Sequence, residues 1–181
     1  MKLTIEKRGP RQYYEEFFFI LANFRKFRRK PNSKAQVFSA YMKKNYILMV
    51  LGILVLVLYS LIGKDKLYLA LIFLCIALLF YTIYYHHSAN KLIDSYYEDS
   101  TVKTIEINSE GVSYSDPSKS VTLNWDKIVY VLINKYSICF LPENASLIVI
   151  TVSIEYLDEI LQGIKEAGKE ALIVDNRGLY K

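Results

Sequence analysis

The chain has 181 residues, 52% of them hydrophobic, and a net charge of +5 that is unevenly spread. Residues 1–45 carry twelve Lys/Arg against three Asp/Glu, whereas residues 86–181 carry nine against fourteen. The long C-terminal stretch is thus net negative and the cations crowd beside an apolar region, which excludes nucleic acid as the partner. The two cysteines, Cys75 and Cys139, fall in different parts of the pattern and are expected to be plain apolar residues, as suits a reducing compartment.

In chain order, residues 2–7 (KLTIEK) alternate as a short strand that Gly9-Pro10 ends. The start is not expected to be a signal peptide, because the apolar run Phe17 to Ala22 lies within a charged segment and lacks a small-residue cleavage site. From Arg11 to Lys30 the spacing of Tyr13, Phe17, Ile20, Leu21, Phe24 and Phe27 predicts one helix with an aromatic stripe. Its last turns carry Arg25, Lys26, Arg28, Arg29 and Lys30. Two placements fit this helix: on the cytoplasmic leaflet, with the cations on anionic headgroups, or packed by its stripe on the C-terminal domain. Pro31 ends it, and Ser33 with Gln36 forms a capping-box pattern that predicts a new helix from there into the apolar region.

Two uncharged runs follow, residues 46–62 and 67–85, joined by GKDKL, whose leucine opens the second run. At about 1.5 Å per residue they span roughly 26 to 29 Å, close to the ~30 Å hydrocarbon core, so they predict a transmembrane hairpin over residues 46–85. The lack of a polar face argues against a soluble hairpin, and the lack of internal charge argues against a proton or ion path. The basic flank places both termini in the cytoplasm. Tyr46, Tyr81, Tyr84 and Tyr85 are expected at the inner aromatic belt, and Tyr59 and Tyr68 at the outer surface.

Residues 86–100 remain compatible with helix and form a stalk. Beyond Ser100 the period changes to two. TVKTIEI, a turn at Asn108 to Gly111, VSYS, a turn at Asp116 to Ser118, and SVTLNW predict a meander. Strands at Ile128 to Ile133, Tyr136 to Leu141 and Ser146 to Thr151 follow, then an amphipathic helix from Ser153 to Ala167 ending at Gly168, and a last strand-like piece at Ala171 to Val174. Residues 101–181 are thus expected to form a small antiparallel sheet or partial barrel capped by a C-terminal helix, making the chain an α+β membrane protein. Residues 1–45 are read as a cytoplasmic strand and basic helix.

This order of elements, with Glu110-Gly111 in the first turn and Leu123-Asn124-Trp125-Asp126-Lys127-Ile128 after the third strand, resembles the YcxB-like family of bacterial membrane proteins. The C-terminal part also looks like a bacterial pleckstrin-homology-type domain. The resemblance covers residues 1 to about 168, counting Tyr13-Tyr14-Glu15-Glu16-Phe17, and implies a bacterial inner-membrane location. The chain departs from the family's pattern after Leu141, where Pro142-Glu143-Asn144 stands in place of a basic turn, so an anion-binding role is not expected of that loop.

Candidate chemistry is sparse. His86 and His87 are adjacent, point about 100° apart on a helix and do not chelate as an i, i+4 pair would. Glu155, Asp158 and Glu159 read as a solvated helix face. No catalytic set, phosphate loop, metal site or cofactor motif is present. Trp125, the single tryptophan, reads first as a core anchor and alternatively as a partner contact. The resulting expectation is a non-catalytic, membrane-anchored binding or scaffold module engaging a protein or an anionic lipid. The alternative is a self-immunity or envelope-stress protein acting through its hairpin.

Overall fold

The computed structural model of the chain describes residues 1–5, 9–62, 66–98, 101–144 and 148–180. Its elements form two compact units, Val37–Asp94 on the one hand and Met1–Gln36 with Ser95–Lys181 on the other.

The Val37–Asp94 unit is built from α3 (Phe38–Ile62) and most of α4 (Lys66–Glu98). At 25 and 33 residues these helices are roughly 37 and 50 Å long, more than a hydrocarbon core requires. The most apolar 18-residue windows within Phe38–Tyr59 and Leu71–Glu98 bury only 6% and 0% of their residues. A core helix of a soluble protein hides such side chains, whereas here Phe73, Phe80 and Tyr84 are among those left bare. Both helices are long and apolar enough to cross a membrane. The predicted stalk is the uninterrupted end of α4, with Asp99 and Ser100 outside the described residues, as are Gly63 to Asp65 of the link. Near the cytoplasmic flank expected from the charges, Tyr46 Oη donates to the Thr82 carbonyl at 3.3 Å and lies 2.8 Å from His86 Nδ1. His86 thus meets a tyrosine across the hairpin.

The capping box expected at Ser33 does not form, and α3 begins at Phe38. Ser33 is committed backwards: its hydroxyl donates to the Lys30 carbonyl at 2.7 Å and so satisfies the end of the preceding helix.

In the other unit, β1 (Lys2–Ile5), β2 (Lys103–Ile107), β3 (Gly111–Asp116) and β4 (Lys119–Asn124) form an antiparallel sheet in that order. A second sheet has the order β7 (Ile150–Ser153), β6 (Ser137–Pro142), β5 (Ile128–Ile133), β8 (Ile173–Asp175). Two sheets therefore stand where one curved sheet was expected, and the second is mixed. The chain leaves β7 at one edge, crosses through α5 (Leu157–Glu166), and re-enters at the far edge, where β8 pairs parallel to β5. The predicted strand beginning at Ser146 is described only from Ile150, since Ser146 and Leu147 lie outside the described residues; Glu6 and Lys7 of the first strand do as well.

The core holds Ile105, Ile107, Val112 and Leu123 of the first sheet with Val131, Ile138, Phe140 and Val152 of the second, closed by Ile160 and Ile164 of α5. A Cβ on Gly163 would stand 3.3 Å from Ile107 Cβ, which shows how closely α5 lies on β2. Ser153 accepts from Glu155 N at the start of this segment and Gly168 ends it at φ +66°, as the sequence pattern predicts. The alternate residues of the second sheet, Leu132, Cys139 and Leu141, face the other way and are just as buried.

Candidate functional site: a basic helix face and an aromatic cavity

The predicted helix from Arg11 to Lys30 is two helices, α1 (Arg11–Ala22) and α2 (Phe24–Arg29). Asn23 makes the break: its Nδ2 donates to the Phe19 carbonyl at 2.9 Å, and its own carbonyl accepts from Lys26 N and Phe27 N. The side chain that ends one helix thus stands just before the next.

α1 packs on the second sheet. Tyr13 Oη donates to the Thr151 carbonyl at 3.1 Å, closing an outward-facing backbone group on the edge strand β7. Glu16, 1% exposed, accepts from Tyr136 N at 2.9 Å and Ser137 Oγ at 2.7 Å on one oxygen, and from Tyr180 Oη at 3.2 Å on the other. Burial raises the pKa of this carboxyl, opposed by the three donors. Burial also lifts the Tyr13 hydroxyl far above the phenol range and pushes the Cys139 thiol up to about 12, so neither ionises near neutral pH.

On α2 the aromatic and basic residues separate. Phe24 and Phe27 are buried, Phe27 in edge contact with Phe19 at 6.1 Å, while Arg25, Lys26, Arg28, Arg29 and the adjoining Lys30 are exposed. Among the described residues no acid pairs with any of the five. The sequence from Phe17 to Ile62 holds eight Lys/Arg and no Asp or Glu. The face is therefore a patch of solvated cations on a helix fixed by its aromatics.

Trp125 does not lie on that surface. It occupies a 3₁₀ turn, Trp125–Lys127, is 6% exposed within the core, and its Nε1 donates to the Asn108 carbonyl at 2.8 Å. Its backbone N donates to the Glu110 carbonyl. A Cβ on the neighbouring Gly111 would collide with the Leu123 carbonyl oxygen, which is why glycine stands there. The two quoted sequence pieces, Glu110-Gly111 and Trp125 to Ile128, thus meet as one structural joint. Glu143, in the loop where a basic turn was expected, has Oε1 3.5 Å from Lys127 Nζ and donates its N–H to the Lys127 carbonyl.

Sequence periodicity did not point to the unit's cavity, about 170 Å³ between α1, β7 and the β2–β3–β4 sheet. Tyr13, Phe17, Tyr114, Val121 and Ile150 give it apolar walls. Tyr13 and Tyr14 stack edge to face at 4.7 Å beside it. Among the described residues no group of three or more His, Cys, Asp or Glu is placed to hold a metal ion.

Fold and site together define an α+β chain in which a pair of long apolar helices accompanies a two-sheet unit with a basic helix face and an aromatic cavity. Compared with models of protein families, with characterised proteins and with solved structures, the chain matches none.

Proposed function

We propose that the protein is a non-catalytic binding module, anchored in a bacterial inner membrane by the α3–α4 hairpin with both termini in the cytoplasm, and that its basic α2 face engages anionic lipid headgroups. The observation that carries this reading is the separation on α2: four exposed cations, with Lys30 adjoining, on a helix whose phenylalanines are turned into the protein interior. With no exposed aromatic stripe on α2 to insert, the contact is electrostatic, worth about 1 kcal/mol per cation near an anionic surface. It is screened over a Debye length of about 8 Å at physiological ionic strength. Two packed sheets with an amphipathic helix across one end support a pleckstrin-homology-like description of the folded unit. Together with a hairpin in the same chain, they keep the YcxB-like kinship as our reading of the whole chain.

The test is amide exchange of residues 24–30 in the full chain, reconstituted in nanodiscs of phosphatidylcholine with and without phosphatidylglycerol. Phosphatidylglycerol should slow exchange on α2 at low salt, 0.5 M salt should abolish the effect, and replacing Arg25, Lys26, Arg28 and Arg29 by Gln should do the same. Identical exchange in both lipids at every salt concentration would refute the lipid-binding role. Loss of the cellular phenotype on deleting residues 101–181 supports the folded unit as the working part, whereas a retained phenotype would support action through the hairpin, as in an immunity or envelope-stress protein.

A further inference from the structure

We propose that the cavity between α1, β7 and the β2–β3–β4 sheet takes the apolar end of a small monoanionic amphiphile, whose head is met at the mouth by Lys119. This deepens the binding-module reading, on which it rests, by assigning a ligand class to a second place in the same unit.

Three observations converge on that class. The first is the lining. Of the four tyrosines lining the cavity, Tyr13 donates its hydroxyl to the Thr151 carbonyl and Tyr114 to Asp116 Oδ2 at 2.9 Å. With their hydroxyls committed elsewhere, these two present their rings, and with Phe17, Val121 and Ile150 they make a wall that favours an apolar body.

The second observation is size. A dry apolar cavity of about 150 Å³ is known to hold benzene, so about 170 Å³ accommodates one ring or the end of an acyl chain.

The third is charge. The charged side chains among the described lining residues are Lys103 and Lys119, both positive. Lys119 Nζ lies 5.7 Å over the Tyr114 ring. The nearby acid, Asp116, is occupied within its own turn: Oδ1 accepts from Ser118 N, Ser118 Oγ and Lys119 N, while Oδ2 takes the Tyr114 hydroxyl. Those donors hold the Asp116 carboxyl well below the usual carboxylate range. The same bonds fix Tyr114 under the lysine. An anionic head complements this mouth, whereas a cationic head meets like charge.

A soluble carboxylate and the chain end of an anionic lipid share this chemistry, and both are tested on the full chain in phosphatidylcholine nanodiscs with isotope-labelled isoleucine methyls. The methyls of Ile5 and Ile150 report on the cavity, and those of Ile160 and Ile164 on the core under α5. Sodium octanoate should move the first pair saturably, leave the second pair in place, and bind at least about fivefold more tightly than 1-octanol, with octylammonium weakest. Lys119→Gln, an exposed change at a turn, should bring octanoate and octanol within about twofold of each other. If part of the phosphatidylcholine is replaced by phosphatidylglycerol and the same methyls move without octanoate, the ligand comes from the bilayer. If only octanoate moves them, it is soluble. Methyls unmoved by either, equal binding of octanoate and octylammonium, or an undiminished preference in Lys119→Gln would overturn the proposal. Exchange on α2 in the same discs separates the two claims: protected α2 with unmoved cavity methyls removes only the cavity ligand, and moved methyls with unprotected α2 remove only the basic-face contact.

Discussion

Trp125 and Glu16 show opposite ways in which single residues hold this unit together. Trp125 combines ring burial with a donor to the β2–β3 turn, so truncation removes both. Trp125→Ala is expected to cost roughly 3–5 kcal/mol in equilibrium unfolding of the detergent-solubilised chain, and Trp125→Phe, which keeps an aromatic ring in the site, distinctly less. A stable Trp125→Ala protein would remove the anchor role. Glu16 gathers three donors from β6, the turn before it and the chain's end, yet it does so as a buried carboxyl whose pKa is raised chiefly by burial. Its raised folded-state pKa contributes stability that is fully present below the unfolded carboxyl pKa and is lost as pH rises through the folded value. Glu16→Gln keeps an acceptor for Tyr136 N and Ser137 Oγ and cannot ionise. Melting temperatures measured across that window should therefore fall with pH more in the wild type than in Glu16→Gln, while Glu16→Ala, which strands the donors, should be destabilised at all pH values. Parallel wild-type and Gln profiles would show that Glu16 titrates no differently in the two states.

Helices α1 and α2 were only partly legible in the sequence. Periodicity placed Tyr13, Ile20, Phe24 and Phe27 on one stripe, its cover left open, and all four are buried. It also placed Phe17 and Leu21 on that stripe, but Phe17 is half-buried and Leu21 is 38% exposed. Three consecutive phenylalanines at 17–19 leave the face undetermined, and Glu15 and Glu16 mimic a solvated side although both are buried. The break at Asn23 had a residue-level signal, an Asn inside a helical pattern, because its side chain competes for backbone groups. Two-sided burial of β6 was foreshadowed by the unbroken run Ile138 to Leu141, and similar runs mark sheets covered on both faces. That α1 is the cover is a long-range pairing no local pattern carries. The cavity escaped for the same reason, since its walls come from elements far apart in sequence. At this scale Phe27→Ala should cost about 3–5 kcal/mol in thermal or denaturant unfolding, whereas Arg28→Gln on the same helix should stay within about 0.5 kcal/mol in neutral detergent. Equal effects would mean that the aromatic and basic faces are not separated as described.

For the whole molecule, the hairpin was the most legible part, because length and lack of charge define it without any tertiary information. α3 and α4 extend beyond the apolar runs on the side of the basic flank and the stalk, and their bare apolar side chains identify them as helices suited to lipid rather than to a protein interior. The first and last parts of the chain share one folded unit through β1 and β2, so both must reside in the same compartment. In the topology we propose from the basic flank, that compartment is the cytoplasm. The most direct measurement is a pair of fusions, at the N-terminus and at the C-terminus, to a fluorescent reporter that matures only in the cytoplasm, read in carbonate-washed membranes. The account predicts that both fusions fluoresce and remain with the membrane; a dark fusion at either end, or a fluorescent protein released into the soluble fraction, would contradict it.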